Sequence, residues 1–131
     1  GHAIPAAIGA RFAIKKPTIA ILGDGGFQMC CMELMTAVNY NIPLTVIMFN
    51  NSTMGLIRKN QFQQYDERYI DCDFVNPDYQ LFAQSFGIEY KKIETESDMQ
   101  GLFDHIEYNN NINLIEVIID KDLFPTYTSR R

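Results

Sequence analysis

The chain has 131 residues, a length suited to one domain with a core of its own. Apolar residues make up 47% and charged ones 21%, which excludes disordered, collagen-like and coiled-coil classes. Eleven Lys plus Arg stand against sixteen Asp plus Glu, a net charge of −5 without a basic run, which argues against general nucleic-acid binding and an anionic-membrane partner. No apolar stretch reaches the roughly eighteen residues of a membrane span and no signal-peptide pattern opens the chain, so a cytoplasmic protein is expected.

The opening residues, Gly1-His2-Ala3-Ile4-Pro5-Ala6-Ala7-Ile8-Gly9-Ala10, already read as a helix entry, with Pro5 suited to a first turn. This start in mid-architecture leads us to expect a fragment of a longer chain, truncated at the N-terminus, with at least one strand upstream. The first helix is predicted over Pro5 to Ile14, ending at Lys15-Lys16-Pro17. Thr18 to Leu22 is a short unbroken apolar run typical of a buried parallel strand. A helix follows from about Phe27 to Tyr40. Its apolar residues cover most of the circumference, so it should be largely buried. Cys30 and Cys31 lie within it and read as small core hydrophobes in a reducing compartment; three cysteines, two adjacent, make a poor disulfide framework.

Leu44 to Phe49 is the second strand. A polar stretch from Asn50 to Pro77 shows weak periodicity. Then Asp78 to Phe86 reads as a helix stopped by Gly87, Glu89 to Ile93 as a strand, Glu96 to Tyr108 as a helix and Leu114 to Ile119 as a strand. The tail from about Asp120 to Arg131 is polar and expected to be peripheral. The alternation predicts an α/β fold, a parallel sheet wound by right-handed crossovers with helices on both faces. In such sheets ligands gather beyond the carboxyl ends of the strands.

Two strand ends stand out there. The first strand runs into Gly23-Asp24-Gly25-Gly26 and the second into Asn50-Asn51-Ser52-Thr53-Met54-Gly55, with one helix between. That helix rises about as far as a six-residue strand descends, which makes Asp24 and Asn51, 27 positions apart, plausible neighbours. The glycines let backbone N–H groups approach a ligand closely, and a helix N-terminus suits phosphate. A carboxylate beside phosphate is repulsive unless a divalent cation bridges them, so Asp24 points to Mg²⁺ with a diphosphate. The amide oxygen of Asn51 and a backbone carbonyl just after it would help complete an all-oxygen ligand set. Each segment alone also reads as ordinary turn chemistry; the joint placement is what favours a site. A dinucleotide fingerprint fits less well because Gln28 stands where its third glycine belongs, and no Gly-Lys-Ser/Thr is present for a P-loop.

Gly23-Asp24-Gly25 followed at this distance by Asn50-Asn51 resembles the diphosphate and Mg²⁺ motif of thiamine-diphosphate enzymes. The flanking residues Phe27-Gln28-Met29, Glu33-Leu34, Thr36-Ala37-Val38, Tyr40-Asn41-Ile42-Pro43 and Gly55-Leu56-Ile57-Arg58 are similar to the acetolactate synthase group, as is the opening Pro5 to Ala10. The resemblance covers the chain to about Asp120, and it implies the C-terminal thiamine-diphosphate-binding domain over 1–131. It implies that Asp24 and Asn51 ligate Mg²⁺ by side chain and Thr53 by its backbone carbonyl. Gly23, Gly25, Gly26 and backbone near Gly55 would hold the diphosphate, and Leu56 would lie along the cofactor or substrate. The implied activity is decarboxylation of a small-molecule 2-oxo acid and transfer of the resulting carbanion to an acceptor. The activating glutamate is expected in a missing pyrimidine-binding domain of the same or a neighbouring subunit, in a homodimer or homotetramer, so no catalytic residue is assigned here.

Acetolactate synthases carry a tryptophan where Asn60 stands, and this chain has none. Arg58-Lys59-Asn60-Gln61 reads more like glyoxylate carboligase or sulfoacetaldehyde acetyltransferase, and a 2-oxo-acid decarboxylase is a further alternative within the family. Arg58, Lys59 and Arg68 are candidates for a substrate carboxylate, with a solvated loop face the better expectation. Tyr65, Tyr69 and Phe74 read as anchors of a stretch that could order on ligand binding. Glu33 suits a structural hydrogen bond, and His2 and His105 have no evident partner for base chemistry. A different class, a non-catalytic α/β module for nucleotide binding or subunit contact, remains the alternative.

Overall fold

The computed structural model describes residues 1–102, 106, 108 and 110–124. In chain order the elements are α1 (Ala3–Ile14), β1 (Ile19–Gly23), α2 (Asp24–Gln28), a single 3-10 turn (Cys31–Glu33), α3 (Leu34–Asn39), β2 (Leu44–Asn50), α4 (Gly55–Gln64), α5 (Tyr79–Phe86), β3 (Glu89–Ile93), α6 (Glu96–Met99) and β4 (Ile112–Ile118). The four strands form one parallel sheet in the order β1-β2-β4-β3. The α/β class and the parallel sheet expected from the sequence are what the structure has.

Side chains alternate across each strand and so sort into two cores. Ala20, Val46, Met48 and Leu114 join Ile4, Phe27, Leu34, Leu44, Tyr79 and Ala83 on one face, under α1, α3 and α5. Ile47, Ile93, Ile115 and Val117 meet Leu102 and Ile106 on the other. The order of the strands explains this division. Connections from β1 through β3 advance across the sheet, and the return from β3 to β4 reverses direction; right-handed crossovers then require α6, which packs on β3, to lie on the opposite face. The second face is covered unevenly, and Ile19 and Ile21 of β1 are exposed on it.

Local signals account for most boundaries. Lys15, left-handed at φ 51°, ends α1 and donates its N–H to the Arg11 carbonyl, and Pro17 lies just beyond. Asp78 caps α5 by accepting from Leu81 N–H at 2.9 Å, and Gly87 at φ +66° terminates it. Thr95 and Asp98 form a reciprocal capping box at the start of α6.

Three expectations are corrected. The helix predicted from Phe27 to Tyr40 is broken into α2, the 3-10 turn and α3, because Cys30 leaves helical geometry at φ −145°, ψ 13°. It is not largely buried either: Phe27, Cys30, Leu34 and Ala37 face the core, whereas Met29 is 73% and Met32 65% exposed. The helix predicted over 96–108 stops at Met99, with Gly101 at φ +69°, and its 103–105 and 107, including His105, lie outside the described residues. Finally, the polar stretch after β2 contains a ten-residue helix, α4, that weak periodicity concealed.

Candidate functional site

Parallel registry sets the site. Gly23 at the end of β1 pairs with Phe49 near the end of β2, so the two chain segments that follow leave the sheet side by side. Asp24-Gly25-Gly26 is itself the first turn of α2, and Phe27, edge-on to Tyr79 and Phe82 in the main core, fastens that turn to the body of the protein. Burying a phenyl ring of this kind contributes about 1.5–3 kcal/mol.

The segment after β2 is held as firmly. Ser52 sits in the left-handed region at φ 54°, a conformation disfavoured for a residue with a Cβ. It persists because its backbone is tied on both sides: its N–H donates to Asp24 Oδ2 at 2.8 Å and to Asn50 Oδ1 at 3.1 Å, and its carbonyl accepts from Phe74 N–H at 3.0 Å. Met54 N–H donates to the Cys72 carbonyl at 2.7 Å, and Thr53 Oγ1 donates to the same carbonyl at 2.9 Å. The antiparallel bridge between Thr53 and Asp73 therefore uses the Ser52 and Cys72 carbonyls, not that of Thr53.

Between these segments lies an open cavity of about 430 Å³ lined by Gly23, Asp24, Gly25, Gly26, Phe49, Asn51, Thr53, Met54, Gly55, Leu56, Ile57 and Ile119. All eight residues singled out as cofactor or metal contacts, Gly23, Asp24, Gly25, Gly26, Asn51, Thr53, Gly55 and Leu56, lie on its wall. A Cβ added at Gly26 meets nothing within 4 Å, so the space beside that backbone is open. A Cβ on Gly25 would come within 3.0 Å of the Met54 sulfur, and one on Gly55 within 3.3 Å of Asn51 Nδ2. These glycines allow the two segments to close on each other.

Asp24 carries the electrostatics. It is 2% exposed, and among the described residues no Lys, Arg or His pairs with it. Its carboxylate is held by neutral donors alone: Gly25 N–H to Oδ1 at 2.9 Å, and Ser52 N–H and Asn76 Nδ2, both at 2.8 Å, to Oδ2. A buried carboxylate without a cation is costly unless one is supplied, and Oδ1, with a single donor, has a lone pair to offer. Among the described residues Asn51 Oδ1 accepts only a long 3.3 Å bond from Thr53 N–H. One carboxylate, one amide oxygen and one backbone carbonyl are a hard all-oxygen donor set, too few for octahedral Mg²⁺ alone and complete with two phosphate oxygens and a water. No group of three or more His, Cys, Asp or Glu suited to a metal occurs among the described residues. The donor set fits Mg²⁺ carried in with a diphosphate.

Sequence reasoning missed Asn76. Its Nδ2 also donates to Asn50 Oδ1 at 2.7 Å and to Ser52 Oγ at 3.1 Å, and its Oδ1 accepts from Gln28 Nε2 at 2.5 Å and the Tyr79 hydroxyl at 2.8 Å. Burial pushes the Tyr79 hydroxyl up to about 12, which keeps it a donor. The network continues inward: Asn50 Nδ2 donates to the buried Glu116 at 2.5 Å, and Glu116 accepts from the Tyr90 hydroxyl, whose pKa is raised first by burial and then by that carboxylate. The available signal was Asn76-Pro77-Asp78, where proline fixes an extended residue just before a capped helix.

Arg58 and Lys59 are corrected. Both are buried, Arg58 to 7% exposure, and they do not form a solvated loop face. The Arg58 guanidinium donates to Asp122 at 2.6 Å, reaches Asp73 at 3.4 Å and stacks on Tyr69 at 3.9 Å. The hydrogen bond to Asp122 raises its pKa further. Arg58 therefore pins the segment after α4 and the residues after β4, which also makes Asp122 and Lys121 less peripheral than the polar tail suggested; 125–131 lie outside the described residues. Arg68 caps a local turn through the Tyr65 carbonyl. Glu33 accepts from Thr36 Oγ1 at 3.2 Å, the structural bond expected of it. Cys30, Cys31 and Cys72 are free thiols, and burial raises that of Cys31.

The chain is thus a parallel α/β domain with an open cavity at adjoining strand ends and a buried aspartate that pairs with no Lys, Arg or His among the described residues. Comparison with known proteins narrows the class. Residues 1–117 match the family described as thiamine pyrophosphate enzyme, C-terminal TPP binding domain, and the chain belongs to that family. It is 38% identical over 123 residues to the acetolactate synthase large subunit of Lactococcus lactis, covering 92% of this chain and 21% of that protein. It is 40% identical over 103 residues to a probable acetolactate synthase large subunit of Methanococcus aeolicus, covering 76% and 17%. Against the sulfoacetaldehyde acetyltransferase of Alcaligenes xylosoxydans the identity is 38% over 90 residues, covering 68% and 15%. The chain thus spans about a fifth of the length of the curated relatives it matches. No helix among the described residues is long and apolar enough to cross a membrane.

Proposed function

We propose that this chain holds the diphosphate end of thiamine diphosphate through Mg²⁺, as part of an enzyme that decarboxylates a 2-oxo acid and transfers the resulting carbanion to an acceptor. The observation that carries the reading is Asp24, buried without a cation on the wall of a cavity that also holds Asn51, Thr53 and the glycines. In this reading Asp24 and Asn51 ligate the ion by side chain and Thr53 by its carbonyl. Gly23, Gly25, Gly26 and Gly55 let backbone N–H groups close on the phosphates, and Leu56, with Ile57 and Ile119 beside it, offers an apolar wall along the cofactor or substrate. The cofactor, when bound, supplies the electron sink for decarboxylation; the chain supplies grip and orientation.

Residues 1–131 act as one cofactor-binding domain in this account. A pyrimidine-binding domain, on the same or a neighbouring subunit, contributes the activating glutamate, and the full-length enzyme works as a homodimer or homotetramer. Similarity to both acetolactate synthases and a sulfoacetaldehyde acetyltransferase supports a carboligase or acetyl-transfer reaction class. The test is phosphorus NMR of thiamine diphosphate titrated with the chain. Both phosphorus lines should shift or broaden when Mg²⁺ is present and stay at their free positions in its absence; unchanged lines with Mg²⁺ would overturn the reading.

A further inference from the structure

Asn76 lies 52 positions from Asp24 in sequence, yet it is the residue around which the two strand-end segments close. Its single amide nitrogen has acceptors from three places within 3.1 Å: Asp24 Oδ2 after β1, Asn50 Oδ1 at the end of β2 and Ser52 Oγ in the strained turn. Its amide oxygen receives Gln28 from the end of α2 and Tyr79 from the start of α5. The Asp24 carboxylate, which can only accept, and Asn50 Oδ1, whose own amide nitrogen is committed to Glu116, fix which way the amide faces. Turned over, the Asn76 oxygen would confront both of these acceptors.

We propose that Asn76 is the positioning residue that presents the Asp24 carboxylate to Mg²⁺, an inference that rests on the reading of the site given above. Asn76 and Ser52 N–H together occupy Asp24 Oδ2, so the carboxylate cannot turn and only Oδ1 is offered to a cation. Attachment through one oxygen suits an ion that demands near-octahedral geometry and short bonds, where a small rotation of the ligand is penalised. Outer partners of this kind orient metal ligands, and their loss commonly lowers metal affinity about 10–100-fold. Asn76 also fixes Asn50, the residue before the proposed ligand Asn51, and so orders both halves of the ligand set through one amide. Gln28 and Tyr79 act one step further out, through the direction of that amide.

Mn²⁺ in place of Mg²⁺ provides the readout, because the electron paramagnetic resonance signal of free Mn²⁺ falls as the ion is bound in the presence of thiamine diphosphate. Asn76→Leu keeps the side chain's volume and removes its donors and acceptor; it should weaken Mn²⁺ binding by about 10–100-fold. Tyr79→Phe and Gln28→Ala should each weaken it by about 2–10-fold, as loss of one hydrogen bond does, and the Tyr79→Phe effect should vanish in the Asn76→Leu background. A purely structural role would lower the thermal midpoint of Asn76→Leu and leave Mn²⁺ affinity within about twofold of the parent, and that result overturns the proposal. If Asn76→Leu does not fold, the other two variants decide: weakened binding supports the proposal and parental affinity in both overturns it. A parent chain that takes up no Mn²⁺ with thiamine diphosphate would instead overturn the reading of the site itself, and the positioning role with it.

Discussion

Two buried charges, Asp24 and Arg58, are held in opposite ways. Arg58 is compensated: Asp122 and Asp73 neutralise it, Tyr69 covers its face, and Lys121 extends the pairing to a chain of four charges. Asp24 has three hydrogen bonds from neutral groups and, among the described residues, no ion pair. A charge buried with its partners completes a fold. One buried without them stores an unmet demand, which in the proposed function a divalent cation would meet. On this contrast the proposed function belongs to the strand ends, while Arg58, expected on a solvated loop face, serves stability.

The largest effect expected from this contrast is on binding. Asp24→Ala should weaken Mg²⁺-dependent thiamine-diphosphate binding by at least about 100-fold, the upper end of what even outer-shell losses produce, as measured by equilibrium dialysis. Arg58→Met should do the reverse. It should lower stability by about 2–3 kcal/mol in urea unfolding, because Asp73 and Asp122 lose their shared partner at a site where both carboxylates are partly solvated, and it should change cofactor affinity far less than Asp24→Ala does. If Arg58→Met abolished binding without loss of stability, the division between the two regions would be wrong.

Gly26→Ala sharpens the contrast further. A methyl group there meets no protein atom within 4 Å, and alanine favours the helix α2, so the thermal midpoint should hold or rise slightly. Diphosphate binding should still weaken, by about tenfold, because the methyl occupies space reserved for the ligand. The smallest effect concerns acid. Lys121 first, with Thr53 and Arg58, lowers the Asp73 carboxyl from 3.8 to about 2. The folded state therefore binds that proton less readily than the unfolded one. Asp73 contributes its full stabilisation above about pH 4 and loses it as the pH falls toward about 2. Thermal midpoints between these limits should fall less steeply for Asp73→Asn than for the parent.

What the sequence revealed follows from the range of its signals. Gly23 to Gly26 and Asn50-Asn51 are legible because one helix of known rise separates two apolar strands, and geometry then brings their ends together. Asp78 and Gly87 announced α5 through local chemistry. Asn76 was illegible because its partners lie in three different elements, and nothing near it in sequence requires a donor of that shape. Arg58 misled for a related reason: a charged residue on a helix of little apolar periodicity suggests solvent, and its partners Asp73 and Asp122 lie 15 and 64 positions away. The break at Cys30 has no proline or glycine to mark it, so an apolar run read as one helix is three short pieces.

In the proposed function this chain grips the diphosphate half of thiamine diphosphate through a metal held by Asp24. Calorimetric competition between thiamine diphosphate and inorganic pyrophosphate tests it most directly. With Mg²⁺ present, pyrophosphate should displace thiamine diphosphate, thiamine should not, and both binding events should disappear in EDTA and in Asp24→Ala. Binding that persists in EDTA, or that thiamine displaces while pyrophosphate does not, would contradict it.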